Sequence, residues 1–80
     1  MQKYQGSETS GVASYELSED AITLKFVNDN FLYLYDYVKP GRIQVEKMKE
    51  LAVSGQGLTT YVNKNVRGNY KRKWAQLQRV

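Results

Sequence analysis

Eighty residues without a cysteine or a histidine leave room for one hydrophobic core. They exclude disulfide-stapled scaffolds and thiolate zinc sites, and they remove the commonest general base and metal ligand. Hydrophobic residues make up 41% and charged residues 25%, the balance of an ordinary folded domain, and the net charge is +4. That charge is unevenly placed: residues 1–50 carry eight acids and six bases, whereas 51–80 carry six bases and no acid.

Residues 1–11, rich in Gln, Ser, Gly and Thr, read as a flexible N-terminal tail. Three strands follow, over about 12–17, 21–28 and 31–37, separated by Glu19-Asp20 and Asp29-Asn30. Asp-Asn is good two-residue hairpin chemistry because both residues tolerate positive φ. Two-residue turns fix the register. Leu17 then faces Ile22, Tyr15 faces Leu24 and Ala13 faces Phe26. In the second hairpin Phe26 faces Tyr33, Leu24 faces Tyr35 and Ile22 faces Tyr37. These residues share one face, while Ser14, Glu16, Thr23, Lys25, Asp36, Val27, Leu32 and Leu34 share the other. Pro40-Gly41 ends the strand pattern. A helix over about 42–53 presents Val45, Met48, Leu51 and Ala52 on one stripe and stops at Ser54-Gly55-Gln56-Gly57. A second helix is expected over about 58–78, from the spacing of Leu58, Val62, Val66, Tyr70, Trp74 and Leu77. Thr59 or Thr60 is its candidate cap, and Gly68 is a candidate kink or break. The expected fold is α+β: a three-stranded antiparallel β-meander packed on one face by two helices, forming one domain over 12–80.

The order of strands, Tyr33-Leu34-Tyr35, Val38 and Pro40, a helix, Gly57 and the run Tyr61-Val62-Asn63-Lys64-Asn65-Val66-Arg67 with Tyr70 resembles the KTSC domain. That family occurs at the C-terminus of some lysyl-tRNA synthetases and as small stand-alone bacterial or phage proteins. The resemblance covers about residues 12–70. It departs from the family pattern at Leu34, where a polar residue is usual, and in the basic continuation Lys71-Arg72-Lys73-Trp74. What it implies about function is RNA binding, the family's usual conjecture.

With neither His nor Cys, and with acids placed mainly in turns, no convergent acid–base pair or nucleophile emerges, and no Gly-rich phosphate loop follows a strand. The expectation is a non-catalytic protein with no cofactor and no metal. The strand tyrosines could serve as a stacking platform for bases or as packed core with hydroxyls at the rim. Their register beside Ile22, Leu24 and Phe26 favours packing. The basic segment gives the binding candidates. On an unbroken helix Lys64, Arg67 and Lys71 share a face, flanked by Arg72, Arg79 and Tyr61, with Asn63 beside them; Lys73, also a binding candidate, falls among the apolar positions and must snorkel unless the helix ends earlier. Lys and Arg there would meet phosphates, and Tyr61 would stack on a base. A merely solvated basic face is the plainer alternative. The expected partner is nucleic acid, RNA favoured, with little sequence specificity. The other reading is an adaptor that docks on an acidic protein surface or self-associates through Val27, Leu32 and Leu34 on the outer sheet face. No apolar run approaches membrane-span length and Met1–Ser10 holds no apolar signal core, so the expected setting is cytoplasmic, without membrane insertion.

Overall fold

The computed structural model describes residues 1–5, 11–27 and 29–75. In chain order the elements are β1 (Gln2–Lys3), β2 (Val12–Ser18), β3 (Ala21–Phe26), β4 (Phe31–Asp36), α1 (Arg42–Ser54), α2 (Leu58–Tyr61), a π-helical turn over Val62–Val66, and β5 (Arg72–Ala75). All five strands form one antiparallel sheet in the order β1-β2-β3-β4-β5. The expected α+β class and the helical layer on one sheet face are present, but the three-stranded meander is only the middle of this sheet.

The first hairpin has the expected register, with Leu17 opposite Ile22, Tyr15 opposite Leu24, and Glu19-Asp20 as the two-residue turn. Near its far end a bulge between Val12 and Ser14 puts Val12, rather than Ala13, opposite Phe26. The extra residue turns Val12 into the core, where it is fully buried. The second hairpin departs by two residues: Leu24 faces Tyr33 and Ile22 faces Tyr35. Asp29 causes the shift. Its Oδ1 accepts the Phe31 N–H at 2.9 Å and its N–H donates to the Phe26 carbonyl at 3.3 Å, so the loop closes outside a two-residue turn. A slip of two keeps every side chain on its expected face, so Tyr33 and Tyr35 remain core residues. Tyr37 falls beyond the strand, in the turn before α1, and its hydroxyl donates to Glu46.

Good helix formers fill Lys47–Ala52, and Val45, Met48 and Ala52 are buried against the sheet. Gly55 ends α1 in the left-handed conformation at φ 80°, its N–H donating to the carbonyls of Leu51 and Ala52. The second helix differs most from expectation. It spans Leu58–Tyr61, widens into the π-helical turn, and ends at Val66 instead of near residue 78. Gly57 occupies the N-cap position, and Thr59 instead accepts the Val12 N–H at 3.1 Å through Oγ1. Beyond the turn, Asn69 N–H donates to Val66 O and Lys71 N–H donates to Leu34 O, which starts the β4–β5 ladder. The Tyr35 hydroxyl donates to the Arg67 carbonyl at 3.2 Å, so the core reaches out to hold the end of the helix. Gly68 sits at this reversal, but its φ is not positive and a Cβ there would meet nothing within 4 Å. Its contribution is low helix propensity rather than special geometry.

The stretch read as a tail supplies β1 and Tyr4. Tyr4 is only 2% exposed, packs edge-on to Tyr15 and accepts the Leu58 N–H at 2.9 Å. Residues 6–10, at the centre of that stretch, and Leu77 and Arg79 lie outside the described residues.

Candidate nucleic-acid interface

Among the described residues β5 is one of the two edge strands of the sheet, and the chain enters it through Lys71-Arg72-Lys73. The helical turn ends at Val66, so Lys71 does not share a helix face with Lys64 and Arg67 as expected, and consecutive strand side chains send Arg72 and Lys73 to opposite faces. Arg72 is opposite Leu34 and Trp74 is opposite Leu32, both on the open side of the sheet. Lys73 is opposite Tyr33, on the helix-bearing side, with its ammonium 4.6 Å from the Phe31 ring centroid and 5.6 Å from that of Tyr33. Trp74, expected among the apolar helix positions, is 39% exposed, because the strand carries it away from the core. The basic segment therefore wraps around an edge instead of lying along a cylinder.

Lys64 and Arg67 come from the π-helical turn and the residue after it, and both are exposed. The Arg67 guanidinium stacks over Phe26 at 4.1 Å and donates from Nη1 to Asn63 Oδ1 at 2.9 Å. Asn63 thus orients an arginine. Its carbonyl oxygen is occupied, which leaves its amide N–H groups for a ligand. Tyr61 is half-buried against the core, with its carbonyl accepting from Asn65, so its ring packs as much as it is presented. The ion pairs among the described residues are Lys47–Glu50 and Lys49–Glu46, both within α1. Lys64, Arg67, Lys71, Arg72 and Lys73 carry none there, and their charge is available to an external anion.

Asp29 lies within the electrostatic reach of Lys73 and Arg67, and its Oδ2 accepts the Tyr33 hydroxyl at 2.6 Å. That hydrogen bond holds the Asp29 carboxyl below its ordinary range, helped by the Phe31 N–H, Lys73 and Arg67 against the opposing effect of burial. The same bond, followed by burial, pushes Tyr33 up to about 12. Burial raises Tyr35 further still. A phenol with a folded pKa above its unfolded value of about 10 stabilises the fold fully below pH 10 and loses that contribution as pH rises through the folded value. Urea unfolding midpoints are therefore expected to hold steady up to about pH 10 and then fall, with late phenolate absorbance from Tyr33 and Tyr35. Tyr33→Phe should flatten part of the fall. A midpoint insensitive to pH above 10 would contradict the Tyr33–Asp29 hydrogen bond and the burial of Tyr35.

The sequence reading missed the strand character of residues 72–75 and with it the partnership of Trp74 with Leu32 and Leu34. One signal was present: Gly68-Asn69 is turn chemistry, and a short alternating segment follows it. A hollow of about 610 Å³ lies at the opposite edge, lined by Met1, Gln2, Gln5, Tyr15, Glu16, Leu17 and Val53. It includes no lysine or arginine, so it is separate from the basic edge.

Comparison with models of known protein families, with curated proteins and with solved structures finds no match. Among the described residues no helix is long and apolar enough to cross a membrane.

Proposed function

We propose that this chain is a small non-catalytic nucleic-acid-binding domain, with RNA as the favoured partner, acting through the basic edge formed by β5 and the preceding turn. One observation carries the reading: Lys64, Arg67, Lys71, Arg72 and Lys73 are all exposed and free of ion pairs among the described residues, and Lys71, Arg72 and Lys73 follow one another into the edge strand β5. Lysines and arginines in this number can follow a phosphate backbone. The resemblance of residues 12–70 to KTSC domains supports the same partner. Among the described residues no set of side chains is arranged to read a run of base edges, so affinity should depend weakly on sequence and strongly on salt.

The test is a titration of labelled single-stranded RNA, single-stranded DNA and duplex DNA at several salt concentrations. Contact with about four phosphates predicts a log–log slope of about −3 to −4. The combined variant Lys71→Gln, Arg72→Gln, Lys73→Gln should weaken binding and flatten the slope by about 2. These side chains are exposed, so the fold should survive their replacement. If none of the nucleic acids binds at low salt, the role passes to the adaptor reading, in which the same edge meets an acidic protein.

A further inference from the structure

The register of the four ladders aligns side chains in rows across the open face of the sheet. One row runs Lys3, Ser14, Lys25, Leu32, Trp74, one residue from each strand. The adjacent row runs Glu16, Thr23, Leu34, Arg72. The helices cover the other face, and no element among the described residues covers this one. At its β5 end Leu34, Arg72 and Trp74 line a shallow hollow of about 290 Å³. A half-exposed indole with an apolar floor beside it is a surface on which a planar ring can stack.

The charges around that hollow favour an anionic chain. Arg72 borders it, and Lys25 lies two strands from Trp74, about 10 Å at the usual strand spacing. The Lys25 ammonium donates to the Phe26 carbonyl at 2.9 Å, which fixes its position and leaves two donors free. Lys3 continues the row about 19 Å from Trp74. The acid in these rows, Glu16, is three strands from Arg72, at the far side of the sheet. Asp36, two residues along β4 from Leu34 on the same face, has its Oδ1 engaged by the Val38 and Lys39 N–H groups. Positive charge thus flanks the ring along its own strand and across the sheet.

We infer that the open sheet face is a binding platform for single-stranded nucleic acid, with one base stacked on Trp74 and the flanking phosphates held by Arg72 and Lys25. The inference rests on the nucleic-acid reading and deepens it. A duplex keeps its bases stacked on one another and offers no free ring face to Trp74, so single strands bind here in preference to duplexes. Sequence tolerance follows, because every base has a π-face.

Trp74 is the chain's one tryptophan, so its fluorescence reports this surface directly. The experiment titrates the wild-type chain with a short single-stranded RNA and with the matching RNA duplex, reading Trp74 emission and binding anisotropy together. Quenching by the single strand is expected, with tighter binding of the single strand than of the duplex. Trp74→Ala should lose about ten-fold or more in single-strand affinity with the salt slope unchanged. Trp74→Phe keeps a ring and should lose less, and Lys25→Gln should weaken binding and flatten the slope by about 0.7. If single-stranded RNA binds with the expected salt slope, but Trp74 emission does not change and Trp74→Ala binds like wild type, the platform is overturned and the basic edge stands. If neither RNA binds at low salt, both readings fall.

Discussion

Tyr4→Ala is expected to lower the unfolding free energy by about 3–5 kcal/mol, the range for removing a buried aromatic ring. The reason is specific to where the residue sits. Its ring is 2% exposed and meets Tyr15 edge-on at 6.5 Å. Its hydroxyl accepts the N–H of Leu58, the first residue of α2. The first N–H groups of any helix lack partners within it, and this helix begins at a glycine with no side-chain cap. Tyr4 therefore caps α2 from 54 residues away. Truncation removes the ring and also strands a buried donor. In a domain of this length total stability is about 4–12 kcal/mol, so the variant should be partly unfolded or close to it. Tyr4→Phe isolates the hydroxyl and should cost about 1–2 kcal/mol. Urea unfolding of both variants decides the matter. A Tyr4→Ala midpoint equal to wild type would return the N-terminal segment to the status of a tail.

These long-range ties mark the limit of what the sequence reveals. The first hairpin, α1 and the inward face of the central strands follow from local chemistry: alternation with period two, a 3.6-residue stripe, Pro40-Gly41 and Gly55. The second hairpin was legible as to face but not as to loop length. Asp29 looks like a turn residue from its type alone, and only the bond to Phe31 shows that it closes a longer loop. β1 was hidden because two strand residues give no period, and what fixes them is the burial of Tyr4 against distant elements. The C-terminal segment failed for a different reason. Leu58, Val62, Val66 and Tyr70 do meet the core as their spacing implies, but Tyr70 does so from beyond the helix, packing edge-on against Tyr33 and Tyr35. Periodicity thus identified the core-facing residues as far as Tyr70, misplaced the exposed Trp74 and overextended the helix. The error mattered most at the candidate site, since it put Lys71 on one helix face with Lys64 and Arg67, whereas the chain has left the helix there and sends Arg72 and Lys73 to opposite sides of a sheet edge.

Gly11→Ala should be about as damaging as losing the Tyr4 ring, at about 3–4 kcal/mol, for two independent reasons. Gly11 has φ +92°, a conformation that an L side chain adopts only with strain. A Cβ there would also overlap the Thr59 Cγ2 and Oγ1 atoms well inside van der Waals contact. Thr59 cannot simply swing aside, because its Oγ1 accepts the Val12 N–H at 3.1 Å. Moving it leaves a donor unpaired at the bulge that turns Val12 into the core. On the other side of the joint, the Gly11 carbonyl accepts the Val27 N–H at 2.8 Å, so the backbone is pinned as well. The close approach binds β2 to α2, and α2 leads directly into the turn that presents Lys64 and Arg67. Thr59→Ala separates the two causes. It removes the overlapping atoms and leaves the φ strain, so Gly11→Ala should cost about 1 kcal/mol less, or better, in that background than in wild type. Additive unfolding energies in the four-variant cycle would mean that Thr59 does not limit the space at Gly11.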